Sequence, residues 1–218
     1  MKRALVLMGV VGALTGMAFA ADASKVMDSA AQVVESMASS KQIPHSLLHR
    51  SKCVAVIPSL TKAGFIVGGE HGNGVISCRT SSGWSAPAFI TMSGGSIGLQ
   101  AGGEHKDIVL LMNEQGEQML NNGHWDLGAE AVAAGPSGES VGGAEDTGWG
   151  KTPVLSYSRS SGAYAGADVG GSKLDADKDT MHNLYGKDAT MQSVLSGKTE
   201  TPESAHHFVA ALEGAAGK

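Results

Sequence analysis

Several of the features that usually declare a protein's chemistry are scarce in this chain. It has only two cysteines, Cys53 and Cys78. They lack Cys-x-x-Cys spacing, which argues against a zinc module. Positive charge is short: 16 Lys and Arg stand against 21 Asp and Glu, for a formal charge of −5. Such a chain gains nothing from bulk attraction to nucleic acid or anionic lipid, so contact with an anionic headgroup needs a local basic patch. No long hydrophobic run is present either. The apolar stretch from Ala4 to Met17 is too short to cross a bilayer core of about 30 Å comfortably.

That stretch reads instead as a leader. Lys2 and Arg3 precede it, and Ala18-Phe19-Ala20 fits the small-x-small cleavage rule. No Cys stands near the cleavage point, so a lipoprotein signal is absent. The expectation is a signal peptide over residues 1–20, cleaved after Ala20, and a single domain over residues 21–218. Removing Lys2 and Arg3 takes the formal charge from −5 to −7. Export places Cys53 and Cys78 in an oxidising compartment, where an even pair favours a disulfide. Two buried free thiols are the alternative.

What the chain does have is glycine. Its 31 glycines in 218 residues are about twice the usual ~7 %. They are spread among short apolar runs, which points to a tightly curled antiparallel sheet and not to a disordered tract. Residues 24–38 carry Val26, Ala30, Val33, Val34 and Met37 at helical spacing, with Asp22 or Ser24 as candidate cap. Ser46 to Arg50 reads as one helical turn after Pro44. Strands are expected near 53–57, 64–69, 74–79, 87–92, 97–103, 107–112, 124–133, 153–159 and 163–172. The runs Phe65–Val67 and Val75–Ser77, flanking a Gly-rich break, read as a hairpin. Glu114 to Asn122 reads as a short helix stopped by Gly123, and residues 135–150 as a long loop. Helices are expected after Asp175, Asp177 and Asp179, and from about Pro202 to Leu212 with Thr201 as cap. The fold class is therefore α+β: a curled, Gly-rich antiparallel β-sheet or barrel-like core flanked by N- and C-terminal helices.

Motifs for chemistry are present only in fragments. Gly94-Gly95-Ser96-Ile97-Gly98 matches Gly-x-Ser-x-Gly, but Ile97, Leu99 and Ala101 continue as a strand and no helix follows. Gly150-Lys151-Thr152 resembles the end of a phosphate loop, yet Glu145 stands where the first glycine belongs. Asp175, Asp177 and Asp179 resemble the start of a calcium loop, but Thr180 and Gly186 stand where Gly and Glu are needed. His45 and His49 are four apart on a short helix without a His-Glu-x-x-His pattern. No nucleophile, base and orienter converge, so the chain is not expected to be an enzyme, and no cofactor or metal is expected.

Other motifs occur together and in order. They are Cys53-Val-Ala-Val-Ile57-Pro58, the Gly-rich run Gly64 to Gly74, and Gly83-Trp84-Ser85-Ala86-Pro87-Ala88-Phe89. Gly94 to Gly102, Asp107-Ile-Val-Leu-Leu111, Ala133-Ala134-Gly135-Pro136, Tyr157 to Gly162 and Leu184-Tyr185-Gly186 follow. This series closely resembles the SYLF domain family over roughly residues 25 to 190. The resemblance implies lipid binding, since eukaryotic members bind phosphoinositides and some bind actin. The leader makes the chain look like a bacterial exported member, periplasmic or secreted, for which the transferable ligand is anionic phospholipid or a membrane surface. Arg50, Lys52, Lys62 and Arg79, with His45 and His49 nearby, are the candidate basic rim for lipid headgroups. The alternative is a solvated surface paired to Glu70 and Glu104. The functional expectation is an exported, non-enzymatic phospholipid-interacting module. A structural or protein-partner-binding envelope protein is the alternative, and no nucleic-acid partner is expected.

Overall fold

The computed structural model describes residues 8–128, 131–136, 149, 152–160, 163–165 and 171–216. Helices α1 (Met8–Ser39) and α2 (His45–Arg50) lead into two long strands, β1 (Cys53–Thr80) and β3 (Ala88–Met112), with the short β2 (Gly83–Trp84) between them. Helix α3 (Glu114–Met119) and strands β4 (His124–Leu127), β5 (Val132–Ala134), β6 (Val154–Ser160), β7 (Ala163–Ala165) and β8 (Ser172–Ala176) follow. Helices α4 (Lys178–Tyr185), α5 (Met191–Leu195) and α6 (His206–Ala216) end the described chain. The architecture is α+β, as expected from the sequence.

One antiparallel ribbon organises the sheet. β1 and β3 pair from Cys53↔Met112 to Ile76↔Ala88. Laid straight, the chain from Cys53 to Cys78 would span roughly 80 Å at the usual strand rise. Yet the Cα atoms of Cys53 and Cys78 are 4.0 Å apart and the two residues are joined by a disulfide. The Arg79 N–H also donates to the Lys52 carbonyl at 2.7 Å. The ribbon has therefore curled round until its ends meet. Register shifts mark the bends, between Ile57 and Leu60 and between Gly64 and Ile66. At the first, Ser59 takes a left-handed φ of +57°, and its N–H is satisfied by Asp107 Oδ1 at 3.1 Å. Pro58, which has no N–H to give, is tolerated because the ladder is interrupted there.

Folding back lets one strand serve two parts of the sheet. The end of β3, Lys106 to Met112, pairs with β6, while Ile90 to Ser93 near its start pair with β8. β8 in turn carries β4, and β6 carries β5 in parallel and β7 antiparallel. The strands expected at 53–57, 64–69 and 74–79 are thus one strand, and those at 87–92, 97–103 and 107–112 are another. The expected hairpin between Phe65–Val67 and Val75–Ser77 does not form. Gly68, Gly69, Gly72 and Gly74 are ladder residues paired with Ser96, Gly95, Met92 and Ile90. They resemble a turn in sequence because the same lack of Cβ serves a close approach. A Cβ on Gly74 would lie 2.4 Å from the Val56 carbonyl oxygen, and one on Gly72 would lie 2.8 Å from Ile57 Cγ2. The chain reverses at Thr80–Gly83, where Arg79 pairs with Trp84.

Other boundaries differ less. The strand expected at 124–133 is the separate β4 and β5. Gly123 ends the α3 segment in a left-handed conformation with φ of +67°. Asp177 caps α4 by accepting from the Thr180 N–H at 3.0 Å. At the last helix, Pro202 precedes a short 3-10 turn, Glu203–Ala205, and α6 starts at His206. α1 is already helical at Met8, so neither Asp22 nor Ser24 starts it. Most of the 135–150 loop, part of the 163–172 strand and Gly150-Lys151 lie outside the described residues.

The helices close one side of the core. α1 turns Met27, Ala30, Ala31, Val34 and Met37 inward, all essentially inaccessible, against α6 and β1. α6 answers with Phe208 and Leu212. Each such large side chain, fully buried, stabilises by about 1.5–3 kcal/mol. No helix among the described residues is long and apolar enough to cross a membrane.

Candidate functional site

Among the four expected headgroup residues, Lys52, Lys62 and Arg79 have different partners. Lys52 and Arg79 are neighbours, since the ribbon closure binds their backbones. Arg50, exposed, ends α2 two residues earlier. Lys62 lies in β1, ten residues beyond Lys52. There its Nζ is 3.0 Å from Glu70 Oε2. Glu70 is buried at 7 % exposure and also accepts from the Ser172 hydroxyl. Gly94 leaves the room for that carboxylate: a Cβ there would come within 2.8 Å of Glu70 Oε1. Lys62 therefore neutralises a buried charge between two arms of β1.

Arg79 is also engaged within the protein. Its Nε donates to the Ser51 carbonyl at 3.2 Å and its NH2 group to the Ala216 carbonyl at 3.0 Å. The guanidinium lies 4.6 Å from the centre of the Trp84 ring, a cation–π arrangement. Burial pulls it below its usual pKa, though an arginine stays charged at neutral pH. Arg79 thus fastens the end of α6 to the closed ribbon. His49 acts on the same carbonyl, with Nδ1 2.8 Å from the Ala216 oxygen. His45 and His49 stack with ring centres 6.4 Å apart. Lys52 is paired with Glu114 at 3.4 Å, both substantially open to solvent, which is worth at most about 1 kcal/mol.

Beside these residues lies an apolar groove of about 390 Å³ between α1 and α6. Ala38, Ile43, Ala210, Ala211 and Ala215 line it, with His45 and Glu35 at its border. The small side chains on both helices create it. Lys41 stands on the α1–α2 connection that borders it.

The motif residues turn out to be joints. Ser85 of the Trp84–Phe89 run accepts from the Cys78 N–H at 3.1 Å, and its carbonyl accepts from Ser77 at 2.8 Å. The Pro87 carbonyl accepts from the Tyr185 hydroxyl at 2.7 Å, so two motifs far apart in sequence meet. Burial raises the Tyr185 phenol well above its usual pKa. Gly135 lies flat on Tyr157: a Cβ there would be 2.1 Å from the ring, and the Tyr157 hydroxyl donates to the Pro136 carbonyl at 3.1 Å. Asp107 joins the Ser59 bulge to Arg159 at 2.9 Å, and Arg159 donates to Ser36 of α1.

Two of the motif fragments have places in the described fold. Ser96 sits in the β3 ladder opposite Gly68, not on a strand-to-helix turn. Asp175 is in β8 beside His124, and Asp177 caps α4. Sequence reasoning missed Asp107 as the anchor of the bulge, the Ala216 carbonyl as acceptor for Arg79, and Glu117, whose carboxylate lies within 4.8 Å of both cysteine sulfurs. No local pattern announces any of these, because each partner is distant in the chain.

Known proteins resemble this chain in sequence. The family model described as "Las17-binding protein actin regulator", Ysc84, matches residues 93–215. Protein YSC84 of Saccharomyces cerevisiae is 35 % identical over 89 % of this chain and 42 % of its own length. LAS seventeen-binding protein 3 of the same yeast is 33 % identical over 89 % of this chain and 43 % of its own. The human SH3 domain-containing YSC84-like protein 1 is 30 % identical over 88 % and 56 %. The chain spans about half the length of these relatives. With more than half of its residues matched by the model, the chain belongs to the Ysc84 family, the SYLF family of its sequence motifs.

Proposed function

We propose that this protein is an exported, non-enzymatic module that binds anionic phospholipid. The observation that carries the reading is the α1–α6 groove. It is lined by small apolar side chains, and His45 and the Lys41-bearing connection border it, with Arg50 following on α2. An apolar groove beside basic residues offers acyl chains and headgroups what each needs. Of the four expected contact residues, Arg50 and Lys52 remain the candidates for headgroups, while Lys62 and Arg79 serve the fold. The Cys53–Cys78 disulfide supports export, because such bridges persist in oxidising compartments. Cleavage after Ala20 leaves every buried α1 residue named here, from Met27 on, in the mature chain.

Co-sedimentation with phosphatidylglycerol-containing vesicles, against pure phosphatidylcholine, tests the reading. Each basic residue near an anionic surface contributes about 1 kcal/mol. Arg50→Glu with Lys52→Glu should therefore weaken binding at least roughly thirtyfold, with thermal stability little changed. Binding should also fall with salt. A double variant that sediments like wild type, or no sedimentation with any vesicle, overturns the lipid reading. Amino-terminal sequencing of the native protein tests export, with Ala21 expected first and an intact Met1 against it.

A second reading is a protein-partner module. The specific support is a relative named for binding LAS seventeen that aligns over 89 % of this chain. Partner capture unaffected by lipid, together with failed vesicle binding, would favour it.

A further inference from the structure

We propose that Cys53, Cys78 and Glu117 form a redox-gated site for a thiophilic divalent cation such as zinc. The two sulfurs and a Glu117 carboxylate oxygen all lie within 4.8 Å of one another. In tetrahedral coordination with bonds of about 2.0–2.3 Å, ligand atoms stand roughly 3.3–3.8 Å apart, so small side-chain adjustments bring the three donors to one ion. Both cysteines are buried, but Cys78 forms part of the wall of an open cleft of about 220 Å³. Glu117, Asn121, Met191, Gln192 and Ser196 form the rest of the polar and sulfur-bearing wall. The cleft gives an ion a route to the sulfur and leaves room for a fourth ligand, water.

Glu117 is held in place yet uncommitted. Its backbone N–H donates to the Asn113 carbonyl at 2.9 Å. Asn113 is itself fixed as the cap of α3 and donates its side-chain amide to the Trp149 and Thr152 carbonyls. Lys52 pairs with Glu114, one turn away. The Glu117 carboxylate makes no hydrogen bond or ion pair with the described residues.

While the bridge is intact, its sulfurs are bonded to each other and the site is closed. A dithiol reductant opens it: the dithiol becomes a cyclic disulfide and the two cysteines become thiols. The cation then displaces both thiol protons and takes two thiolates and the carboxylate. Sequence spacing alone speaks against such a site, because the third donor comes from α3.

The test uses the whole protein, reduced with dithiothreitol and desalted under argon. Cobalt(II) should give a thiolate-to-metal charge-transfer band with the reduced protein and none with the oxidised form. Zinc should bleach that band at one equivalent. Glu117→Gln, which leaves the bridge and fold intact, should weaken zinc at least about tenfold against a chromophoric chelator, the scale seen even for outer-shell partners. Equal zinc affinity in Glu117→Gln overturns the three-ligand site, as does the absence of a cobalt band. If reduction unfolds the chain, zinc should restore the near-ultraviolet circular dichroism of its buried tryptophans. Failure to restore it counts equally against the proposal. Vesicle binding plays no part in these readouts, so this proposal and the lipid reading stand or fall separately.

Discussion

Gly74→Ala should destabilise the protein far more than a glycine-to-alanine change elsewhere on the same ribbon. The added Cβ would sit 2.4 Å from the Val56 carbonyl oxygen, 2.9 Å from Ile57 Cγ1 and 3.1 Å from Ile57 Cα. Two of these three neighbours are backbone, which cannot rotate away. Relief needs the two arms of β1 to part by most of an ångström, just where the ribbon closes. Overpacking of this kind costs typically 1–3 kcal/mol and occasionally more. We expect about 3 kcal/mol, which for a chain of this size lowers Tm by roughly 6–12 °C. Gly95→Ala is the matched control. It is on the same ribbon, exposed, with nothing within 4 Å of its Cβ and an ordinary φ. That change should be neutral or stabilising by up to about 1 kcal/mol, through reduced freedom of the unfolded chain. Urea denaturation of both oxidised variants, followed by tryptophan fluorescence, gives the comparison. Equal midpoints for the two variants would refute the argument that β1 crosses itself at Gly74.

Three further outcomes are expected. Gly135→Ala should cost about 2–4 kcal/mol because its Cβ would enter the Tyr157 ring, and Gly135→Ala with Tyr157→Leu should recover part of that loss in a double-mutant cycle. Lys62→Met leaves Glu70 buried without its cation and should destabilise by up to about 3 kcal/mol; adding Glu70→Gln should restore most of it, and an unchanged midpoint in the single variant would show the pair to be idle. The Tyr185 phenol is raised by burial, so the folded state resists its ionisation. Its contribution is complete below the unfolded pKa of about 10 and lost as pH rises above that value. Tyr185→Phe should remove that alkaline loss, at a cost of about 1 kcal/mol at neutral pH for the bond to Pro87.

Glycine usage and short apolar runs were enough to read an α+β chain with a curled sheet. Helical spacing located α1, and Gly123 and Asp177 marked helix ends, because those signals are local. The ordered series of motifs, from Cys53-Val-Ala-Val-Ile57-Pro58 to Leu184-Tyr185-Gly186, was enough to recognise the family. The pairing of Cys53 with Cys78 was readable from their number and the expected compartment. Where the glycines act was not readable. Gly72 and Gly74 carry the sequence signal of a turn, yet they permit a crossing with Ile57 and Val56, and only the tertiary path puts those residues together. The internal partners of two of the expected rim residues were hidden for the same reason. Lys62 and Arg79 look like surface charge in sequence, but curling the ribbon buries Glu70 beside one and brings the Ala216 carbonyl to the other. Local pattern decides which residues form strand and helix, through backbone sterics and period. Whether a charge faces solvent, a buried carboxylate or a helix end depends on long-range closure, which no window of sequence contains.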